Sequence, residues 1–178
     1  MSQEPDLVVV EVIGVRQHPV AEEIVVLLLD PESDLVVPIM IGPHEAGAIA
    51  VAQSGSAPPR PMTHDLLRDL LIAAGEQVRR AVITRLEDGV FYAELTLGNG
   101  ARVDSRASDA IAVALRFGVP VLCSAEVVAV AGVEVQRIDP DAADDTGDDD
   151  VEQFRAFLEQ VTPEDFETGE EPGPSRGP

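Results

Sequence analysis

The string AIAVA occurs twice in this chain, at residues 48–52 and again at residues 110–114. Each copy follows three runs rich in Val, Ile and Leu, a pattern typical of three strands that lead into a helix. A repeated string at the same place in a repeated order of elements indicates an internal duplication. We therefore predict an α+β fold, a single domain with duplicated βββαα halves in which helices pack against antiparallel sheets.

Turn residues mark where these elements begin and end. Asp88-Gly89 is a strong hairpin signal, Pro43 suits the first position of a helix, and Gly118 suits a helix end. The predicted strands are residues 7–15, 24–29, 35–41, 78–86, 90–97 and 101–103. The predicted helices are residues 43–53, 63–74, 107–117 and 124–131. In the second of these helices the residues that fall on one face at helical spacing are Leu66, Leu67, Leu70, Leu71 and Ala74.

Acidic residues are concentrated towards the end of the chain. The formal net charge is −21, and residues 136–178 carry 14 acidic and three basic residues. An Asp-rich run without apolar periodicity cannot bury enough apolar surface to fold. We expect a globular domain at 6–135, a disordered acidic linker at 136–150, an amphipathic helix at 151–162 and a disordered tail at 163–178. That helix is a candidate docking element for a protein partner.

Several classes of protein are disfavoured by what the sequence lacks. There is no apolar run of membrane-spanning length and no signal-peptide pattern, so we expect a soluble, cytoplasmic protein without a membrane partner. The single cysteine, Cys123, permits no internal disulfide and is expected to be a buried apolar side chain. The absence of P-loop, GxGxxG, HExxH and CxxC patterns disfavours nucleotide triphosphatases, dinucleotide oxidoreductases and structural zinc sites. The acidity argues against tight, non-specific binding to duplex DNA.

Two short polar segments run directly into predicted helices, at residues 58–65 and 104–109. Together they contain two arginines, a histidine and three aspartates, the side chains that phosphoryl chemistry uses. A structural interpretation is also available, because a carboxylate in the first turn of a helix is favoured by about 0.3–1 kcal/mol. A histidine there can cap the helix or face solvent, and an arginine can pair with a carboxylate. Ser108 is interpreted as a helix cap.

Four stretches of the chain, in order, resemble the bifunctional nuclease domain family. They are residues 37–46 (VPIMIGPHEA), 58–66 (PPRPMTHDL), 89–93 (GVFYA) and 108–112 (SDAIA). The resemblance covers roughly residues 6–132, most of the predicted domain. Where the family usually has Trp, Leu and Pro, this chain has Met40, Met62 and Ala107. These differences affect packing or helix entry and leave the polar groups intact.

The resemblance implies a nuclease that acts on DNA and RNA, uses a divalent metal ion and assembles as a homo-oligomer. The candidate catalytic residues are His64, Asp65 and Asp109. The candidate contacts to the substrate phosphate are Arg60 and Arg106. The candidate ligands of Mg²⁺ or Mn²⁺, ions that prefer oxygen donors, are Glu45, Asp104 and Asp109.

Two alternatives to the nuclease hypothesis stay open at the level of sequence. In the first, the same residues form a non-catalytic regulatory domain that binds a small anion. In the second, the chain is an assembly module that recruits a partner through the predicted helix at 151–162.

Overall fold

The computed structural model describes residues 6–17 and 23–134 of the chain. This part consists of one mixed sheet of eight strands and four helices, which confirms the α+β class. The strands are β1 (Leu7–Gln17), β2 (Ile24–Asp30), β3 (Leu35–Ile41), β4 (Val78–Glu87), β5 (Val90–Leu97), β6 (Arg102–Arg106), β7 (Val121–Ser124) and β8 (Val133–Glu134). The helices are α1 (Pro43–Ser54), α2 (Thr63–Ala73), α3 (Ala107–Phe117) and α4 (Ala125–Ala131). The predicted segments at 136–150, 151–162 and 163–178 lie outside the described residues.

Two meanders of three strands share the sheet, whose order is β6-β5-β4-β7-β1-β2-β3-β8. Neighbouring strands pair antiparallel except β4 and β7, which are parallel. The parallel pair arises because α3 returns the chain along the sheet, so that β7 enters in the same direction as β4. Antiparallel sheets were predicted, and the single mixed sheet with its parallel β4–β7 pair corrects that expectation. The second half also contains β7 and β8, which have no counterpart in the first, so the duplication stays a prediction.

The two AIAVA strings occupy different environments although their letters are identical. In α3 all five residues of the string, 110–114, are buried, because this helix packs against α1, α2 and the sheet. In α1 only Ala48 and Ile49 of the string are buried. Helix α3 is therefore the centre of the helical layer, and it fixes the positions of the helices on either side.

Helix α2 lies against α3 and has no fully buried residue. Leu66, Leu67 and Leu70 are exposed, whereas Leu71 packs against the core. The apolar spacing thus predicted the helix, but most of its apolar face points away from the core of the described chain.

Aliphatic side chains fill the core, as the low aromatic content of the sequence requires. Leu28, Ile49, Ile83 and Ile111 are fully buried, and each such side chain contributes roughly 1.5–3 kcal/mol relative to exposure. Cys123 is buried among them as predicted, and burial raises the pKa of its thiol to about 12. Among the helices of residues 6–17 and 23–134, none is long and apolar enough to cross a membrane.

Candidate functional site

Hydrogen bonds join the first turns of three helices, and each of these turns supplies a polar side chain. Glu45 is the third residue of α1, His64 is the second of α2 and Asp109 is the third of α3. Helix α3 follows β6 without a loop, because the strand extends beyond its predicted end at residue 103. Arg106 is therefore both the last residue of β6 and the N-cap of α3, with extended backbone angles φ −66° and ψ 148°.

His64 and Asp109 form a hydrogen-bonded pair between α2 and α3. The distance from Nε2 of His64 to Oδ1 of Asp109 is 3.0 Å, and the side chains are 14% and 30% exposed. Burial alone would raise the pKa of Asp109, but hydrogen bonds from Arg106 and His64 lower it below the ordinary value. Because an ionised carboxylate only accepts hydrogen bonds, the proton of His64 must lie on Nε2. Nδ1 is then the nitrogen of His64 that can accept a proton.

Arg106 bridges the carboxylates of Asp109 and Glu45. Its Nε donates to Oδ2 of Asp109 at 2.6 Å, and its Nη2 donates to Oδ1 of Asp109 at 3.1 Å and to Oε1 of Glu45 at 2.8 Å. Hydrogen bonds to Asp109 and Glu45 raise the pKa of Arg106, which stays cationic. The side chain is nevertheless 66% exposed, and Nη1 has no hydrogen-bond partner among the described residues. One edge of the guanidinium is thus held and the other is available to a ligand.

The carboxylate of Glu45 folds back over the start of its own helix. A hydrogen bond from its own backbone N–H lowers the pKa of Glu45, burial opposes that change, and Arg106 lowers it further. The close approach depends on Gly42, the N-cap of α1, because a Cβ at this position would lie 2.5 Å from Oε2 of Glu45. Gly42 therefore allows the carboxylate to reach Arg106 while it complements the helix dipole.

A concavity of about 490 Å³ opens over these groups. Its lining residues are His44, Glu45, Ala48, Met62, Thr63, His64, Arg106 and Asp109. Four of them form what we call the cluster: Glu45, His64, Arg106 and Asp109. His44, an exposed residue of α1, is a second imidazole on the same concavity, and sequence reasoning gave it no role. Its sequence signals were its position beside Glu45 at a predicted helix start and its place in the stretch at 37–46 that carries the family resemblance.

Asp65, predicted to be catalytic, lies outside this concavity and has structural contacts instead. Its Oδ2 accepts a hydrogen bond from the backbone N–H of Met62 at 2.9 Å, and its Oδ1 accepts one from Nε of Arg116 at 2.5 Å. Burial opposes ionisation, but the bonds from Met62 and Arg116 lower the pKa of Asp65. Asp65 thus caps the start of α2 and ties it to α3.

Arg116 completes this second arrangement, which we call the latch: Asp65, Arg116 and the backbone of Met62. The Arg116 side chain is only 3% exposed, and its Nη1 donates to the carbonyl oxygen of Ala112 at 2.9 Å. Its Nη2 is buried and has no hydrogen-bond partner among the described residues, a situation that costs about 1–3 kcal/mol. Nothing in the sequence distinguished Arg116 from an arginine on the surface.

The remaining predicted site residues do not join the cluster. Arg60 and Asp104 are exposed and neither lines the concavity. Ser108 was predicted to cap α3, but it is a buried residue inside the helix, and no side chain caps that helix start. Of the residues singled out from the sequence, the structure brings together Glu45, His64, Arg106 and Asp109.

The three predicted metal ligands do not form a ligand set in this arrangement. Glu45 and Asp109 both direct oxygens at the Arg106 guanidinium, and Asp104 lies outside the concavity. Across residues 6–17 and 23–134, no three His, Cys, Asp or Glu side chains are grouped as a metal site. The divalent ion therefore stays a prediction from the resemblance, and the donors present do not fit it.

Comparison with known proteins supports the resemblance. The family model for the bifunctional nuclease domain matches residues 26–136. Two uncharacterized proteins from different strains of Mycobacterium tuberculosis are each 42% identical to this chain over 158 residues. Each alignment covers 88% of this chain and 96% of the relative. The matched region contains every residue of the cluster and the latch.

Proposed function

Because this chain belongs to the bifunctional nuclease domain family, we propose that it is a nuclease that cleaves phosphodiester bonds in DNA or RNA. The observation that carries the proposal is the cluster, in which a histidine held by a carboxylate lies beside a cationic side chain on one concavity. These are the parts that proton transfer at a phosphate requires.

His64 is the proposed general base. Asp109 holds Nε2–H, which fixes the ring and leaves Nδ1 to take a proton from the attacking hydroxyl or water. A general acid or base of this kind typically contributes about 10²–10⁴-fold to a rate.

Arg106 is the proposed phosphate contact. Its free Nη1 edge can donate to a phosphate oxygen while its other edge stays bound to Asp109 and Glu45. The two carboxylates thereby aim a cation at the place where negative charge increases during the reaction. Glu45 and Asp109 act on Arg106 as positioning residues.

The proposal is tested with highly purified protein on single-stranded RNA and DNA, with and without EDTA and with added Mg²⁺ or Mn²⁺. We expect His64→Ala to lose most of the cleavage seen with the wild type. Asp69→Asn, in a half-buried ion pair with Arg68 on α2 outside the concavity, is the matched control and should cleave as the wild type does. Equal cleavage by wild type and His64→Ala would identify a contaminating nuclease and remove the proposal.

The alternative of a non-catalytic domain that binds a small anion rests on the exposed edge of Arg106. A guanidinium that is two-thirds exposed and fixed by two carboxylates can bind a phosphate whether or not a bond is then broken. Binding of inorganic phosphate that Arg106→Gln abolishes, without cleavage of either nucleic acid, would favour this second function.

A further inference from the structure

The charge that faces a substrate in this concavity is a guanidinium. In a metal-dependent nuclease a divalent ion lowers the pKa of a bound water, which makes that water a nucleophile. Here the two carboxylates that line the concavity, Asp109 and Glu45, both accept hydrogen bonds from Arg106, at 2.6 Å and 2.8 Å. Arg106 can neutralise a phosphate, but a guanidinium cannot coordinate a water and lower its pKa. A site with a guanidinium in place of a metal ion therefore favours a substrate that contains its own nucleophile.

RNA brings such a nucleophile, because the 2′-hydroxyl lies next to the phosphorus atom that it attacks. A well-oriented intramolecular group has an effective concentration of about 10⁵–10⁸ M, which replaces much of what an activated water would supply. His64 needs only to accept the proton of that hydroxyl, and Nδ1 is its available nitrogen.

A second proton-transfer group lines the same concavity. Cleavage also requires a proton for the departing 5′-oxygen, which is otherwise a poor leaving group. His44 and His64 both line the space of about 490 Å³, and Arg106 lies with them. His44 is exposed, so its ring is accessible to a substrate. Among the described residues that line this concavity, only His44 and His64 carry an imidazole.

The carboxylates expected to bind a metal ion are bound to Arg106 instead. We therefore propose that the chain cleaves RNA by metal-independent transphosphorylation, with His44 as the second catalytic histidine. The inference rests on the proposed nuclease function and specifies its substrate. His64 takes the proton of the 2′-hydroxyl while the 2′-oxygen bonds to phosphorus. The bond from phosphorus to the 5′-oxygen breaks, and His44 gives that oxygen its proton. The products are a 2′,3′-cyclic phosphate and a 5′-hydroxyl, so no water or other reactant is consumed.

The deciding experiment uses the full chain with EDTA and three oligonucleotides of one sequence: RNA, DNA and 2′-O-methyl RNA. We expect cleavage of the RNA alone, at a rate that EDTA does not change, with 2′,3′-cyclic phosphate ends detected by mass spectrometry. DNA cleavage at a similar rate, 5′-phosphate ends or complete loss of activity in EDTA would overturn the inference and leave the nuclease function intact. No cleavage of any substrate, with or without metal, would overturn both.

The role of His44 is tested separately, with a substrate whose leaving group needs no proton. His44→Ala should lower RNA cleavage by about 10²–10⁴-fold and should leave cleavage of uridine 3′-(p-nitrophenyl phosphate) much less affected. His64→Ala should lower both, because the nucleophile still has to lose its proton. Asp69→Asn is again the control, and circular dichroism checks the fold of each variant. An equal loss on both substrates in His44→Ala would exclude His44 as the proton donor.

Discussion

The cluster and the latch use the same chemistry in opposite surroundings. Both pair an arginine of the β6–α3 segment with a carboxylate in the first turn of a helix, Arg106 with Asp109 and Arg116 with Asp65. Arg106 is 66% exposed and keeps one edge free, whereas Arg116 is 3% exposed and its bonds to Asp65 and Ala112 are internal. A buried pair is difficult to break and holds elements in place, while an exposed pair contributes little to stability and can meet a ligand. Burial, more than residue type, therefore separates the proposed functional pair from the structural one.

The largest expected effect separates two aspartates that occupy equivalent positions, each the third residue of its helix. Asp109→Asn should lower nuclease activity by about 10²–10⁴-fold, because an amide offers one acceptor oxygen where His64 and Arg106 need several. Asp65→Asn should instead lower thermal stability and leave activity per folded molecule much closer to wild type. Activity assays and thermal melts of both variants measure the two losses separately. If Asp65→Asn lost as much activity as Asp109→Asn, at equal folded fraction, the division between cluster and latch would be wrong.

The next effect contrasts the two arginines on stability. Arg116→Met should destabilise the fold by about 3–5 kcal/mol, because it removes a buried guanidinium and leaves the half-buried carboxylate of Asp65 without its partner. Arg106→Gln should cost no more than about 1 kcal/mol, since the guanidinium that it removes is 66% exposed to solvent.

Urea denaturation of both arginine variants measures the difference. The double variant Arg116→Met with Asp65→Asn should recover part of the loss, because the unpaired charge is gone. Equal destabilisation by Arg116→Met and Arg106→Gln would show that burial does not distinguish the pairs.

A smaller effect on the free energy of unfolding is expected when the pH is lowered. The folded state lowers the pKa of Glu45, Asp65 and Asp109, so their ionised forms stabilise it. That stabilisation is complete above the unfolded-state values of about 4, and it is lost as the pH falls through the lower folded-state values. Urea denaturation between pH 7 and pH 2 should therefore show little change from these groups until about pH 4 and a decline below it. Asp65→Asn should flatten the decline more than Asp109→Asn, and the reverse order would contradict the comparison.

The smallest effect concerns the support of Arg106. Gly42→Ala places a methyl group 2.5 Å from Oε2 of Glu45, so the carboxylate must move. We expect a stability change below about 1 kcal/mol, as for other exchanges at a helix N-cap, with a modest loss of activity. Gly47→Ala is the matched control, because a Cβ there meets nothing within 4 Å. Full activity in Gly42→Ala would mean that Glu45 does not need to hold Arg106.

Local chemistry made most of the secondary structure predictable. Strand β3, strand β5 and helix α3 begin and end at the predicted residues, because Gly, Pro and Asp-Gly signals act over a few residues. Strand β6 runs past its predicted end at residue 103 because its pairing with β5 continues to Arg106. Cross-strand pairing is not encoded in any short window, and here it decides where Arg106 lies.

The candidate site, like the fold, could be predicted from the sequence only in part. Residue types, helix-start positions and the family resemblance together singled out Glu45, His64, Arg106 and Asp109, which the fold brings to one concavity. The same signals also selected Asp65, Asp104 and Arg60, which the fold directs elsewhere, and they passed over His44 and Arg116. Adjacent residues on a helix point in different directions, so His64 and Asp65 meet different partners although they are neighbours in sequence.

The sequence by itself determined the α+β class, the order of most elements and the chemical types that gather at helix starts, because propensity, turn chemistry and periodicity are local properties. Only the tertiary structure decided which of the two identical AIAVA strings is fully buried, and which of the two arginines faces solvent. The reason is that burial depends on neighbours that are distant in the chain. Helix α3 lies between α1 and α2. That position lets Arg106 contact both Glu45 and Asp109, and it lets His64 contact Asp109.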